Sequence, residues 1–144
     1  MPISGTTLEH TTLTTARGRP VPLTILEPDS SVATIGAMRQ GSDAWQGDCR
    51  GLTVGSDAWR HACFAAEVLF LGAETQARQA PAQVMLAMAD QEVLGVAIWS
   101  VPRPGEAELD LMATAPRHQP SWPNDDKVRG IGTALTRNVA RRML

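Results

Sequence analysis

A run of seven residues, 93–99, with the sequence Val-Leu-Gly-Val-Ala-Ile-Trp, constrains the fold more than any other feature of the chain. A strand of this composition has no polar face to present to water, so other layers must cover both of its sides. Residues 84–89 form a second apolar run, and Asp90-Gln91 between the two runs is typical of a hairpin turn. We therefore expect this hairpin to lie inside a layered α/β fold.

Patterns on both sides of the hairpin predict the elements that would cover it. Residues 106–114 alternate acidic and apolar side chains, which predicts a strand with one polar face. The other predicted elements are a strand at 21–26, helices at 30–38 and 57–79, and a helix at 130–144. Strand, helices, hairpin, strand and helix in this order are typical of an α/β layer fold.

The chain has 144 residues, enough for one domain with a core of its own. We predict that residues 1–20 form a flexible arm and that residues 21–144 form the domain. An identical segment, Gly-Ser-Asp-Ala-Trp, occurs at 41–45 and again at 55–59. Each copy offers a Ser-Asp helix cap, and the paired tryptophans are interpreted as packing residues, with the lining of a substrate groove as the alternative.

The charge pattern argues against several classes of partner. The net charge is −2 and the basic residues are scattered, so neither nucleic acid nor an anionic membrane is expected to bind. No apolar run is long enough to cross a bilayer, and the N-terminus lacks the apolar core of a secretory signal. We therefore expect a cytoplasmic protein.

The two cysteines, Cys49 and Cys63, predict neither a disulfide framework nor a metal site. Asp48 and His61 lie near them in the sequence, but the spacing differs from the close Cys-x-x-Cys pairs of structural zinc sites. Cys63 lies in an apolar helical stretch, where a small buried thiol is the ordinary state. A reducing compartment and no bound metal are expected.

The strongest chemical signal is the segment 129–135, Arg-Gly-Ile-Gly-Thr-Ala-Leu, which we call the glycine turn. Its glycines let a ligand approach the backbone closely, and a helix that begins here leaves several N–H groups without acceptors. Those donors, with the positive end of the helix dipole, favour a phosphate or pyrophosphate. Lys127 and Arg129 add positive charge beside them.

Other phosphate-binding loops do not fit this segment. A dinucleotide-binding fingerprint needs a third glycine where Leu135 stands, and a P-loop needs Gly-Lys-Ser or Gly-Lys-Thr, which the chain lacks. Residues 130–135 resemble instead the acetyl-CoA turn of the GNAT-type N-acetyltransferase family. Residues 111–116, Leu-Met-Ala-Thr-Ala-Pro, resemble the strand end that precedes that turn. The resemblance is specific over residues 106–144, and before them only the order of elements is similar.

The resemblance implies a mainly antiparallel sheet flanked by helices, and transfer of an acetyl group from acetyl-CoA to an amine, either a small molecule or an amine on a protein. The pyrophosphate is expected on backbone N–H groups of the glycine turn, and the pantetheine arm along the end of the preceding strand. The expected cofactor-binding residues are Met112, Ala113, Thr114, Lys127, Arg129, Gly130, Ile131, Gly132, Thr133 and Ala134. Lys127 stands where the family has Arg or Gln, with Gln119 as the alternative.

A carboxylate is expected to accept the proton that the attacking amine loses. Alignment with the family places Glu108 at that position. Glu106 and Asp110 are expected on the same face of the strand, and a solvated strand face is the alternative for all three. His118 is a further candidate base, or else a loop residue. Trp122 either covers the ligand or anchors its loop.

The end of the chain departs from the family. The later strands and helix, and the tyrosine that protonates the leaving thiolate, have no counterpart before Leu144, and the chain contains no tyrosine. The sequence therefore predicts the N-terminal part of a GNAT-like domain, either as a fragment or completed by a second copy or another chain. The alternative is a non-catalytic acyl-CoA-binding or interaction module derived from the same fold.

Overall fold

The computed structural model describes residues 2–79, 81–123 and 126–142. Over these residues the chain forms five strands and three helices, with one antiparallel sheet whose strand order follows the chain. The elements are β1 Gly5–Thr14, β2 Pro20–Pro28, α1 Val32–Arg50, α2 Asp57–Arg78, β3 Gln83–Ala89, β4 Glu92–Arg103, β5 Glu106–Thr114 and α3 Ile131–Arg141, with a single 3-10 turn, Pro116–His118, after β5. The prediction of an α/β layered fold, with helices against an antiparallel sheet, is confirmed.

Helices cover both faces of the sheet. α1 and α2 pack on one face, where Leu69 and Val96 belong to the same buried cluster. α3 packs on the other face, where Ile131 and Ala97 belong to a second cluster. Successive residues of β4 enter alternate clusters, so the middle of this strand is buried on both sides, as its apolar sequence predicts. None of the described helices is long and apolar enough to cross a membrane.

Gly95 in β4 lets α3 lie close to the sheet. A Cβ at this position would come within 2.7 Å of Ile131 Cγ2 and 3.0 Å of Leu135 Cδ1. The pairing of β3 with β4 shifts at this point, with Gly95 opposite Ala87 and Val93 opposite the next residue of β3. Such a bulge leaves one extra residue in β4 and bends the strand under the helix. The glycine and the bulge together fix where α3 begins relative to the sheet.

The prediction of a flexible arm over residues 1–20 is wrong for Gly5–Thr14, which form β1 and pair with β2 along its length. Leu8 and Leu13 are the apolar residues of β1 that pack beneath α3. They are five positions apart, a spacing that places two residues of a regular strand on opposite faces. A shift in pairing between Thr7 and Glu9 restores them to one face, so the alternation that identifies a strand is absent from the sequence.

The two copies of Gly-Ser-Asp-Ala-Trp lie in different structural settings. In the second copy Ser56 caps α2, since its side chain accepts a hydrogen bond from Trp59 N–H. The first copy lies inside α1, where Ser42 Oγ donates to the Ala66 carbonyl of α2 at 2.8 Å. The expectation of a cap is therefore wrong for the first copy. Trp45 is buried in the first cluster, in agreement with the packing interpretation.

Cys49 and Cys63 form a disulfide that joins α1 to α2, with their Cα atoms 5.8 Å apart. The expectation of a free buried thiol at Cys63 is therefore wrong. α1 ends at Arg50 and α2 begins at Asp57, so a short connection folds the two helices back against each other. This places a cysteine near the end of one helix beside a cysteine near the start of the next, a proximity that sequence spacing alone does not reveal.

Candidate anion-binding site at the glycine turn

The start of α3 exposes backbone donors to a ligand. Gly130 precedes the helix with a φ of 89°, in the left-handed region that a residue with a Cβ adopts only at a cost. No described side chain caps this helix. Its first three N–H groups, from Ile131, Gly132 and Thr133, have no acceptor within the helix because no turn precedes them. They point toward the space in front of the helix, where the dipole favours an anion.

Two of the expected backbone donors are already occupied within the protein. The N–H of Arg129 donates to the carbonyl of Thr14 in β1 at 3.1 Å. The N–H of Ala134 donates to the carbonyl of Gly130 at 2.9 Å, the first hydrogen bond of the helix. The donors at the helix start are therefore a narrower set than the sequence predicts, and Arg129 can contribute only its side chain.

Two adjoining cavities contain most of the predicted cofactor-binding residues. The front cavity, of about 690 Å³, lies before the helix start and is lined by Ala16, Thr114, His118, Pro120, Lys127, Val128, Arg129, Gly130, Ile131 and Gly132. The side cavity, of about 590 Å³, follows the first turns of α3 and is lined by Met112, Gly132, Thr133, Thr136 and Arg137. Gly132 borders both. Ala113 and Ala134 line neither cavity: Ala113 faces the α1–α2 side of the sheet, and Ala134, in α3, is buried against the other face of the sheet.

The turn between β1 and β2, residues 15–19, contributes a wall to the front cavity through Ala16. Thr15 pairs with Val128 in an isolated antiparallel bridge. The N–H of Ala16 donates to the Lys127 carbonyl at 3.0 Å, and the guanidinium of Arg19 contacts a carboxylate oxygen of Asp126 at 2.9 Å. Sequence reasoning missed this wall because it treated these residues as an arm. The sequence Gly18-Arg19-Pro20 is typical of a turn and could have predicted it. In the structure Gly18 has a positive φ of 84°.

His118 is held in one tautomer beside the cavity. Its Nδ1 accepts a hydrogen bond from the Val128 N–H at 3.1 Å, so the neutral ring carries its proton on Nε2. Burial lowers the pKa of His118 from its ordinary value of 6.5, the neighbouring charges of Glu92 and Asp126 acting in the opposite direction. The imidazole is therefore a neutral donor at Nε2. This arrangement suits hydrogen bonding to an anionic ligand better than the base role considered from sequence.

Lys127 and Gln119 have different roles in the fold. Lys127 lines the front cavity and its Nζ donates to the Pro120 carbonyl at 2.9 Å. Gln119 is 9% exposed, and its amide donates to the carbonyls of Thr114 and His61 at 3.0 and 3.1 Å. Gln119 thus ties the end of β5 to α2, while Lys127 faces the site. Trp122 is half-buried and does not line either cavity.

A bulge in β5 divides the acidic face that the sequence predicts. Glu108 lies opposite Ser100, on the side of the sheet that carries α1 and α2. Leu109 lies opposite Trp99, and the following pair is Leu111 with Ile98, so Asp110 is an extra residue outside the alternation. The regular alternation that predicts one shared face for Glu106, Glu108 and Asp110 is therefore interrupted at Asp110. Glu108 is exposed and lines neither cavity.

Positive charge predominates where the two wall segments meet. Among the residues that the structure describes, Arg17 and Arg19 lie on the β1–β2 turn, and Lys127, Arg129 and the carboxylate of Asp126 lie on the facing segment. Asp125, also in that segment, lies outside the described residues. Hydrogen bonds from Thr15 and Arg19 hold the pKa of Asp126 below its ordinary value of 3.8, and the charge of Arg17 lowers it further. The carboxylate is thus ionised at neutral pH and paired, and the cations on both segments still favour an anionic ligand.

No protein-family model matches this chain, and neither a curated protein nor a solved structure does. Within the described residues, no group of three or more His, Cys, Asp or Glu side chains is arranged to hold a metal ion.

Proposed function

We propose that the chain binds acetyl-CoA at the glycine turn and transfers its acetyl group to an amine. The observation that carries the proposal is the front cavity, where the uncapped start of α3 meets the side chains of Lys127 and Arg129. A pyrophosphate placed there accepts hydrogen bonds from backbone N–H groups and gains from the helix dipole. Arg129 and Lys127 supply charge-assisted bonds from the rim.

The strand β5 offers a path for the rest of the ligand. Among the described strands it lies at one end of the sheet and is paired only with β4. Its last residues, Met112 and Thr114, border the side and front cavities respectively. The amides of a pantetheine arm can pair with such an edge as an added strand does. An arm that follows β5 away from the glycine turn extends toward Glu108, six residues before Thr114 and roughly 20 Å along the strand.

The reaction needs one proton acceptor and one proton donor. The amine nitrogen attacks the thioester carbonyl, the new carbon–nitrogen bond forms, and the carbon–sulfur bond breaks as CoA leaves as a thiolate. We assign to Glu108 the proton that the amine loses, directly or through water. A backbone N–H near the end of β5 stabilises the oxyanion formed on the way. The thiolate then takes a proton to give free CoA.

A charge reversal at Gly132 tests the binding step. The variant Gly132→Asp places a carboxylate in the first turn of α3, where it stabilises the helix but repels a phosphate. A Cβ there meets Met112 Cε at 3.3 Å, the mobile end of a flexible side chain, so the fold tolerates it. Calorimetric titration with acetyl-CoA is expected to show binding lost in Gly132→Asp and retained, though weakened, in the neutral control Gly132→Asn. Equal binding by the two variants and the unmodified protein contradicts the site.

A second function is a binding module without turnover, and the exposure of Glu108 outside both cavities favours it. The two functions separate in an assay for free CoA thiol in the presence of simple and polyamine acceptors. Catalysis predicts turnover that Glu108→Gln reduces by about a hundredfold or more, with binding of acetyl-CoA unchanged. The neighbouring variant Glu106→Gln is the matched control. Binding without turnover on any amine supports the module.

A further inference from the structure

The disulfide between Cys49 and Cys63 lies at the end of the helical layer where α1 leads into α2. The connection at 51–56 is mostly exposed, and residues 57–61, the first turn of α2, are all exposed or half-buried. The buried residues of α2 begin at Ala62. Burial therefore contributes little to holding the first turn of α2 in place, and the disulfide is a covalent restraint on it.

The end of α1 is attached to the segment that follows β5. The guanidinium of Arg117 donates to the carboxylate of Asp48 at 3.1 Å, and Asp48 directly precedes Cys49. The residue after Arg117 is His118, which lines the front cavity. A displacement of the bridged end of α1 therefore reaches the cavity through one ion pair.

The start of α2 is attached to the same segment by His61, two residues before Cys63. The His61 carbonyl accepts a hydrogen bond from the Gln119 amide at 3.1 Å, and its Nδ1 is hydrogen-bonded to Ser121 Oγ at 2.9 Å. The same Gln119 amide donates to the carbonyl of Thr114, which lines the front cavity. The weakly buried first turn of α2 thus positions this side of the cavity.

Resting on the proposed function, we propose that the disulfide is a redox switch for the front cavity. With the bond closed, the ends of both helices hold the segment 114–121 in place and the cavity binds acetyl-CoA. With the bond open, the first turn of α2 unfolds locally and its bonds to Gln119 and Ser121 are lost, so the cavity wall shifts. The affinity for acetyl-CoA therefore falls on reduction.

Opening the bond requires a dithiol reductant. Cys63 is its point of attack, because Cys63 is half-buried while Cys49 is 0% exposed. A thiolate of the reductant bonds to Cys63 Sγ, the S–S bond breaks, and Cys49 leaves as a thiolate that takes a proton. The second thiol of the reductant then displaces Cys63, which leaves as a thiol. Two electrons and two protons pass to the protein, and the reductant becomes a disulfide.

Calorimetric titration with desulfo-CoA tests the switch, because this probe has neither a thiol nor a thioester that could react with the cysteines. The oxidised protein is expected to bind it about tenfold more tightly than protein reduced with dithiothreitol, as when the binding-competent state falls to about a tenth of the molecules. The double variant Cys49→Ser/Cys63→Ser should bind like the reduced protein, with or without reductant. Arg39→Gln is the matched control. Its bond to Glu74 also joins α1 to α2, but away from the disulfide, so the redox response should be kept.

A second readout follows the route to the cavity without ligand. Reduction is expected to shift the amide resonances of residues 57–61 and of Val128, whose N–H donates to His118, and to leave that of Val96 in β4 unmoved. Shifts that stay near the disulfide and do not reach Val128 overturn the switch. The spectrum of an unfolded chain after reduction also overturns it, since the bond would then serve the whole fold.

The titrations separate the switch from the function on which it rests. Equal affinity of the oxidised and reduced proteins for desulfo-CoA overturns the switch and leaves the proposed function standing. Loss of the redox response in Arg39→Gln overturns the route through the segment 114–121. Failure of the oxidised protein to bind the probe overturns the proposed function, and the switch with it.

Discussion

Glu9 joins the N-terminal strand β1 to α3. Its carboxylate accepts hydrogen bonds from Arg137 at 2.9 Å and from Asn138 at 2.7 Å, and lies 3.7 Å from Arg141. These bonds, with that of Arg137 the strongest cause, hold the pKa of Glu9 below its ordinary value of 4.5. A carboxylate on β1 thus fixes the exposed side of α3, whose first turn forms the candidate site.

Replacing Glu9 tests this connection. Glu9→Gln removes the charge from the hydrogen bonds that Glu9 accepts from Arg137 and from Asn138, and Asn138 is only 2% exposed. The free energy of unfolding is therefore expected to fall by about 1–2 kcal/mol. Because the folded-state pKa is lowered, the stabilisation is complete above pH 4.5 and is lost as the pH falls below it. Urea unfolding at several pH values should show the two proteins converging in acid. A constant difference across that range would disprove the assignment.

His118 contributes to the pH dependence in the same direction as Glu9, but at a higher pH. Burial lowers its pKa from 6.5, so the folded state holds the neutral ring and binds fewer protons than the unfolded state as the pH falls through that value. The free energy of unfolding is therefore expected to decrease as the pH drops below 6.5, and to be insensitive to this group above it.

Two variants separate the hydrogen bond of His118 from its charge. His118→Ala leaves the N–H of buried Val128 without its acceptor and is expected to cost about 1–3 kcal/mol. His118→Asn places an amide oxygen near the position of Nδ1 and should recover much of that loss. Both remove the decrease in stability between neutral and mildly acidic pH. Thermal unfolding measured at pH values on either side of 6.5 checks both effects, and an unchanged profile in either variant refutes them.

At the scale of elements, the contact of α3 with β4 depends on a missing side chain. Gly95→Ala places a Cβ against Ile131 and Leu135, so the helix must move away from the strand. We expect a loss of about 1–3 kcal/mol, together with weaker binding of acetyl-CoA because the helix start moves too. Gly36→Ala in α1 is the matched control, since a Cβ there meets nothing within 4 Å. It should stabilise the protein by up to about 1 kcal/mol in urea unfolding. Equal effects of the two changes would contradict the close approach.

The sequence predicted those elements whose pattern is regular over their whole length. The apolar run around Val96 and the helical spacing of Ile131, Leu135 and Val139 identify β4 and α3, because burial on one or both faces fixes their composition. β1 was missed since the bulge at Leu8 breaks its alternation.

The candidate site likewise has a part that could be predicted from the sequence and a part that could not. The glycines and the backbone donors of the helix start follow from local rules and were predictable. The turn at residues 15–19 and the Thr14 carbonyl, which accepts the hydrogen bond of Arg129 N–H, could not be predicted. Both belong to a segment that is distant from the glycine turn in the sequence. The disulfide was hidden for the same reason, since the fold-back of α1 on α2 brings Cys49 to Cys63. Long-range pairing leaves no periodic trace in a single sequence.

At the scale of the whole molecule, the disulfide stabilises the helical layer that covers one face of the sheet. It closes a loop with a sequence separation of 14 residues, a length for which chain entropy predicts about 3 kcal/mol. Dithiothreitol is therefore expected to lower the free energy of unfolding by about that amount. The double variant Cys49→Ser/Cys63→Ser should match the reduced protein and be insensitive to the reductant. Two alkylatable thiols in protein purified without reductant would refute the bond.

The meeting of the β1–β2 turn with the glycine turn also sets an order of events during synthesis. Arg19 and Asp126, which join the two segments, are separated by 107 positions in the chain. The ribosome therefore completes the first wall of the front cavity long before it makes the second. Contacts across such a separation form late in folding. Because the proposed function places CoA in this cavity, we expect immobilised CoA to capture completed nascent chains and not shorter translation intermediates.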